Sequence, residues 1–421
     1  MQAEIIIIGD EILNGTTLDT NSQFIARALE ALNIEVVRRS TVKDRKEAIL
    51  QGLYEAEQRA QIIITTGGLG PTKDDITKKT IAEYLNEELV MNQDVLAHVE
   101  GFFSRRKVPI LEVNRLQALV PASSEVLHND LGTAPGTWTE KNNKVFVSMP
   151  GVPYEMRHIV EERMIPKLKE RMDGHHIVHR YLHTVGVGES SLAAKIAHVE
   201  DALPDYIRLA YLPNPASVKL RLTGAGENEE ELLKEVMSFE HQIKDLLGEV
   251  IFGFGEDTLS SAIGKLLLEK NASVGTAESC TSGYIGQLIT QTPGSSGYYS
   301  GSVVAYSYDL KEKLLGVKHD TLTKHGAVSE ETIKEMAVGG IKHLDTDYVI
   351  ATSGIAGPGG GMDGKPVGTV WIAVASKDRV VAQRFQFGKD RLRNIHRSGV
   401  MGLDMLRRLI LNLPIKIELK S

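Results

Sequence analysis

Thr276-Ala277-Glu278-Ser279-Cys280-Thr281-Ser282-Gly283 joins an apolar, strand-like segment to an apolar helical run, Tyr284 to Thr290. A strand that hands over to a helix at small hydroxyl residues belongs to α/β architecture, where ligands sit beyond the carboxyl ends of the strands. The first N–H groups of such a helix lack intrahelical acceptors and can face an anion or an oxyanion. Taken alone the stretch has two readings. Ser279, Thr281 or Ser282 is an N-cap, or a nucleophile sits at a reactive turn.

Working outward, Asp257-Thr258 precede an amphipathic helix carrying Leu259, Ile263, Leu266 and Leu267 on one face. Downstream, a strand over Gly301 to Tyr306 runs into Ser307-Tyr308-Asp309-Leu310-Lys311. If this part is helical, 100° per residue puts Leu310, Leu314 and Val317 on one arc, with Lys311 on its half-buried side. Burial disfavours an ammonium charge, and a lysine lowered towards neutrality serves as a general base. Ser279 and Lys311 are therefore a candidate nucleophile and base; the competing reading is a lysine that snorkels its head to water. Cys280, the chain's one cysteine, is the rival nucleophile, with His319, His325, His343 and His396 as partners that folding could bring near. A strand over Tyr348 to Ser353 leads into the glycine-rich run Gly354 to Gly361.

At 421 residues the chain is too long for one core. A net charge of −7 gives no general attraction for nucleic acid or anionic membranes. One cysteine excludes an intrachain disulfide framework, and no segment approaches the ~20 apolar residues of a membrane span. A cytoplasmic protein is expected. Near the N-terminus the pattern alternates: a strand over Glu4 to Gly9, a helix with Phe24, Ile25, Ala28, Leu29 and Leu32, a strand over Ile34 to Arg38, a helix over Arg45 to Arg59, and a strand over Gln61 to Thr66. That order predicts a parallel sheet with helices on both faces. Its strand-end loops are Gly9-Asp10-Glu11 and Gly67-Gly68-Leu69-Gly70-Pro71-Thr72-Lys73-Asp74-Asp75. The second suits a phosphate held through a divalent cation; alternatively, Asp74 and Asp75 only cap a helix. The clusters Gly132 to Gly136 and Met149 to Pro153 either line the same crevice or are plain turns. From about His175 the pattern becomes a small α+β unit, with Gly224-Ala225-Gly226 as a turn before a helix over Glu229 to Leu247.

These loops, with Asn114, Gln117, Glu155 and Met156, resemble the N-terminal domain of the CinA (competence/damage-inducible) family, which is similar to MogA/MoaB-type molybdopterin-binding proteins. The resemblance implies a doubly wound domain over 1–170 with metal-dependent ADP-ribose pyrophosphatase activity. It implies that Asn21, Gly67, Gly68, Gly70 and Thr72 surround the nucleotide. Asp10, Glu11, Asp74 and Asp75 would stand at a divalent ion, Mg, Mn or Co, with Asp19 close by. It also implies a KH-like domain over 175–252. An RNA-binding KH domain needs a basic GxxG loop, and Gly186-Val187-Gly188-Glu189 has the wrong spacing and an acid, so a spacer or dimerisation role is expected.

In the last domain, 256–415, six blocks resemble the nicotinamide-nucleotide amidase domain of the family: Glu278 to Thr281, Pro293 to Ser296, Tyr306-Ser307 with Lys311, Gly326 to Ser329, Ser353 to Pro358, and Lys365 to Val370. The resemblance implies an α/β amidase in which Ser279 and Lys311 are catalytic, with Tyr306 nearby. The reaction would convert nicotinamide mononucleotide to nicotinate mononucleotide and ammonia without a cofactor. Cys280 and Thr281 would hold the oxyanion, and Ser353, Gly354 and Gly357 the nucleotide. Three positions depart from the family pattern. Ser282-Gly283 stands for Gly-Gly, Tyr308 for asparagine, and Ile395 for an arginine, leaving Arg393 or Arg397 as phosphate contacts. Expected partners are NMN and ADP-ribose in a homodimer, with no nucleic acid and no membrane. The alternative is a pterin- or nucleotide-binding adaptor without amidase activity.

Overall fold

Ile5 and Ile7 pack on one face of the strand Gln2–Ile8, and Ile6 and Ile8 on the other. This two-sided burial makes it an inner strand of a covered sheet. The computed structural model describes residues 1–71, 76–171 and 176–415. They fall into two units, Met1–Ile177 and Val178–Ser421.

In the first unit six of the described strands form a sheet in the order Glu35–Val42, Gln2–Ile8, Ile62–Thr66, Lys144–Met149, Gly136–Lys141, Glu125–Leu127, and Leu89–Met91 pairs with Leu119–Pro121 apart from it. The first four are parallel; the alternation predicts three of them and leaves out Lys144–Met149, and helices Asn21–Glu30 and Lys46–Arg59 cover opposite faces. The last two strands are antiparallel additions that the sequence reading leaves out. Gly136–Lys141 forms a hairpin with Lys144–Met149 that turns at Asn142-Asn143, both at positive φ (52° and 61°), the backbone a type I′ turn requires.

The second unit begins with a sheet in the order Ile207–Asn214, Ser217–Gly226, His176–Val185, Ile251–Phe254. Val218, Leu220 and Leu222 alternate inward against helices Glu189–Glu200 and Glu229–Leu247. Here one expectation is corrected. Gly224-Ala225-Gly226 continues a strand rather than turning, because Gly224 pairs with Ile207, and a Cβ there would lie 2.7 Å from Val236 Cγ2. Glycine at this place lets the long helix approach the sheet.

The remaining sheet has the order Tyr299–Val304, Val274–Glu278, Tyr348–Gly354, Thr369–Ser376, Val380–Gln386. Its first three strands are parallel and its last two antiparallel. Ile350 faces helices Leu259–Glu269 and Arg391–Ile410, while Val349 and Ala351 face helix Glu330–Leu344. Helix Arg391–Ile410 also carries a buried ionic clamp. Asp404, fully buried, accepts from Arg407 Nη2 (2.7 Å) and Arg408 Nε (2.8 Å), and Arg407 Nη2 also donates to Glu249 O (2.8 Å). The clamp thus ties this helix to the chain entering strand Ile251–Phe254.

Gly339, in helix Glu330–Leu344, lies against the end of helix Tyr308–Leu315, and a Cβ on it would stand 1.8 Å from Leu315 O. Gly339→Ala is expected to destabilise the protein by about 2–3 kcal/mol, the scale of overpacking against backbone. Denaturant unfolding checks it, and the midpoint should fall.

Candidate functional site

The chain leaves strand Val274–Glu278 at Ser279, whose N–H donates to Thr352 O (3.0 Å) of the neighbouring parallel strand. Thr281 Oγ1 shares a 2.6 Å hydrogen bond with Thr352 Oγ1, so the turn is pinned twice to that strand. The helix begins only at Tyr284, after Gly283 at φ 92°. Its cap is neither a serine nor a threonine. Glu278, fully buried, turns its carboxylate back to accept from the N–H groups of Gly283 (2.9 Å), Ile285 (3.2 Å) and Gly286 (3.0 Å), and from the Thr276 hydroxyl (3.0 Å). The helix-start amides expected to face an oxyanion are therefore taken. The N–H groups of Cys280 and Thr281, in the turn itself, have no main-chain acceptor among the described residues.

Lys311 lies on helix Tyr308–Leu315, which starts at Ser307, whose hydroxyl accepts from Leu310 N–H (3.2 Å). Its side chain is more enclosed than the helical arc predicts, only 1% exposed. Nζ lies 3.0 Å from Ser279 Oγ, 2.7 Å from Ala305 O and 3.2 Å from Tyr306 O. Burial lowers the ammonium from its ordinary value to about 8. Two carbonyls take two N–H groups of the neutral amine, which leaves its lone pair for the serine hydroxyl.

Cys280 is a buried neighbour in the hydrophobic core. Burial, with the nearby Glu278 charge, pushes its thiol up to about 12, against smaller opposing effects of its own N–H, Lys311 and Arg391. It stays a protonated thiol near neutral pH. None of the four histidines pairs with it among the described contacts; His396 Nδ1 instead meets Tyr284 OH at 2.7 Å, and His319 and His325 face Glu312 and Glu331.

The other candidates separate. Tyr306 supplies its carbonyl to Lys311, while its phenol is exposed and lies 3.4 Å from Arg391 Nη2. Ser353 is buried and donates to Ala327 O (2.7 Å). Gly354 ends its strand where a Cβ would lie 2.8 Å from Thr369 O, and Gly357, at φ 94°, passes under Lys389 O. Arg391 Nη1 donates to Gly357 O (2.9 Å). It is thus Arg391 that the structure ties to the Gly357 loop and Tyr306. Arg393 is exposed, with its N–H on the Asp390 cap, and Arg397 is half-buried; neither side chain has a described bond into the site. Arg391 and Glu278 are the members that residue-type reasoning passed over; Glu278 opens one of the quoted motif blocks, whereas Arg391 lies outside all six.

In the first unit, one crevice is lined by Glu11, Gly68, Gly70, Ala134, Gly151 and Glu155, so the Gly67–Gly70 loop and both turn clusters do share it. Gly67 sits at φ 115°, where a Cβ would be 2.1 Å from Ile8 O. An adjoining cleft holds Asn21 and Asp19. Asn21 Nδ2 donates to Gly151 O (2.8 Å) and to Thr66 Oγ1 (3.2 Å), and its buried Oδ1 has no partner among the described residues. Asp19 caps the following helix, accepting from Ser22 N–H (2.9 Å). Asp10 and Glu11 are exposed on a single helical turn. Thr72, Asp74 and Asp75 lie outside the described residues, among which no three acidic, histidine or cysteine side chains group to hold a metal ion.

Residues 4–170 match the family described as a probable molybdopterin binding domain, 179–253 the damage-inducible protein CinA KH domain, and 256–410 the CinA C-terminal domain. The chain is 48% identical over 406 residues to a CinA-like protein of Cytophaga hutchinsonii, covering 96% of this chain and 97% of the relative. It is 41% identical to a putative competence-damage inducible protein of Caldicellulosiruptor bescii, covering 98% and 100%. A solved competence-damaged protein (CinA) superfamily protein from Klebsiella pneumoniae is 32% identical over 37% of this chain and 96% of its own, with a TM-score of 0.36. Among the described residues no helix is long and apolar enough to cross a membrane.

Ser282 occupies φ 52°, a left-handed conformation that costs a side-chain-bearing residue about 1 kcal/mol, and its hydroxyl makes one long contact, 3.4 Å to Ser279 O. Ser282→Gly should raise stability by about 0.5–1 kcal/mol in chemical denaturation.

Proposed function

The chain belongs to the CinA family, and on that premise we propose that its C-terminal domain is a serine–lysine amidase converting nicotinamide mononucleotide to nicotinate mononucleotide and ammonia. The observation that carries this reading is the buried Lys311 amine, 3.0 Å from Ser279 Oγ with two carbonyls on its other side. Neutral Lys311 takes the hydroxyl proton as Ser279 Oγ attacks the carboxamide carbon. The tetrahedral oxyanion is held by the Cys280 and Thr281 N–H groups, each worth about 3 kcal/mol in the transition state. Lys311 then returns its proton to the departing nitrogen, which leaves as ammonia, and Ser279 keeps the nicotinyl group as an ester. Water attacks the ester, giving its proton to Lys311, which passes it back to Ser279. Arg391, beside the Gly357 loop, supports a phosphate contact where the family's usual arginine is replaced by Ile395.

For the first unit we propose a nucleotide diphosphate in the Gly67–Gly70 crevice. Thr66 Oγ1 donates to Pro150 O and so can only accept from Asn21 Nδ2, which fixes the amide with its acceptor Oδ1 open to a ligand hydroxyl. Pyrophosphatase chemistry there requires a divalent ion. The described carboxylates do not assemble a site for one, so no catalytic step is assigned to it.

Ammonia release from nicotinamide mononucleotide tests the amidase. Ser279→Ala should lower kcat at least 10³-fold, Lys311→Met about 10²–10⁴-fold, and Cys280→Ala less than tenfold. Full rate in Ser279→Ala overturns the nucleophile, and a wild type that releases no ammonia leaves the binding adaptor. The pH profile carries a second test. The base works only when deprotonated, so kcat/KM should rise with pH and level off above about 8. Stability has the same sign: the unfolded lysine binds its proton more tightly, so wild-type stability should gain on Lys311→Met between about pH 8 and 10.5. Parallel urea unfolding of the two proteins across that range measures the gain.

A further inference from the structure

Helix Tyr308–Leu315, which carries Lys311, is held differently at its two ends. At the C-terminal end Leu315 is buried in the core, and Gly339 lets helix Glu330–Leu344 lie against its carbonyl. The N-terminal end has little such packing, since Tyr308 is 48% exposed and Leu310 37%. What reaches across from it is a hydrogen bond. Ala327 N–H donates to the Tyr308 phenol oxygen (3.2 Å), and Ala327 O accepts from Ser353 Oγ (2.7 Å). Ser353 is buried near the end of strand Tyr348–Gly354, directly after Thr352, whose carbonyl and hydroxyl pin the Ser279 turn. The loop around Ala327 is itself anchored. The Ser329 and Thr332 hydroxyls both donate to Gly326 O (2.9 and 2.8 Å), and Lys365 Nζ donates to His325 O (2.7 Å). A strap one residue wide thus joins the lysine's helix to the strand that holds the serine.

We propose that Tyr308 is a positioning residue for the amide hydrolysis: its phenol, through Ala327 and Ser353, fixes the helix of Lys311 to the strand behind Ser279 and so keeps amine and hydroxyl within hydrogen-bond reach. The inference rests on the serine–lysine reading of the site. Tyr308 precedes Lys311 by three residues, so the two stand on neighbouring turns of one helix side. A helix start that swings outward carries Nζ away from Ser279 Oγ and from the carbonyls of Ala305 and Tyr306. It also admits water to a side chain that is now closed off. The family pattern has asparagine at this position. An asparagine side chain is shorter by the aromatic ring and does not meet the same N–H from the same Cα. The tyrosine is therefore this chain's own means of closing the strap.

Two readouts on the full-length protein test the strap. One is the kinetics of ammonia release from nicotinamide mononucleotide; the other is the titration of Lys311 itself by NMR of isotope-labelled lysine, with Lys311→Met identifying the signal. The Cys280 thiol is the titratable neighbour that bears on the amine, and it stays protonated through the range in which Lys311 titrates, so a moved midpoint reports enclosure. Tyr308→Phe, which removes only the hydroxyl, should lower kcat about tenfold with KM within about twofold of wild type. It should also raise the Lys311 midpoint and the kcat/KM limb together, by about 0.5 pH unit, as water gains access. Tyr308→Asn should do the same. Ser353→Ala, which cuts the other end of the strap, should move the midpoint in the same direction, and the double variant should go no further than the larger single change. An unmoved midpoint in Tyr308→Phe, whatever its melting temperature, overturns the proposal, as does a rise in KM at constant kcat or an additive shift in the double variant. A wild type that releases no ammonia overturns the amidase reading, and the Lys311 midpoint then decides the strap by itself.

Discussion

The C-terminal site depends on one unfavourable act, the burial of the Lys311 amine. An ammonium taken out of water loses solvation that no carboxylate restores here; the partners Ala305 O, Tyr306 O and Ser279 Oγ are neutral dipoles. The environment therefore shifts the amine towards the free base, and that shift follows from which atoms surround Nζ. Each neighbouring element has a part in holding it. Ser307 starts the helix, Gly316 ends it in a left-handed residue, and the glycine at 339 lets helix Glu330–Leu344 close over its last turn. The cost of burial is spread over the domain, and the gain appears at one proton.

Glu278 fills a complementary role. A helix start beside a nucleophile invites an oxyanion, but here the carboxylate of the residue before the serine already satisfies that start. The positive end of the short helix is spent on structure, and the amides without a main-chain acceptor among the described residues of the turn are those of Cys280 and Thr281. The same carboxylate helps to hold the Cys280 thiol protonated. Two adjacent potential nucleophiles are thereby distinguished by their surroundings: the serine has a base within reach, and the cysteine has only apolar packing and a nearby negative charge.

Much of this arrangement is legible in the chain. Helices Tyr284–Thr290 and Glu229–Leu247 begin and end where their apolar periodicity places them, because that signal is local. Three parallel strands of the first unit follow from β-branched runs alternating with helical ones, while the hairpin of Gly136–Lys141 and Lys144–Met149, whose second strand completes the parallel set, goes unread because only Asn142-Asn143 marks its turn. Lys311 is read as half-buried because a helical projection sees one helix; the strand end at Ala305 that encloses it lies in another element. Gly224 reads as a turn because glycine permits one, whereas its actual use is to give room to Val236, a neighbour only in space. Arg391 reaches the Gly357 loop over 34 residues, a distance at which composition and spacing carry no information.

The buried Asp404 clamp has a consequence for how the second unit can be divided. Arg407 is satisfied partly by Asp404 on its own helix and partly by Glu249 O and, at 3.4 Å, Ile251 O, which belong to the segment before the last domain. Cutting the chain at the start of that domain would strand a guanidinium whose remaining acceptors had left with the other fragment. The middle and C-terminal segments should therefore behave as a single cooperative block, exchanging their deepest amide protons together. A border drawn by sequence family is here crossed by the hydrogen bonds that keep both sides folded.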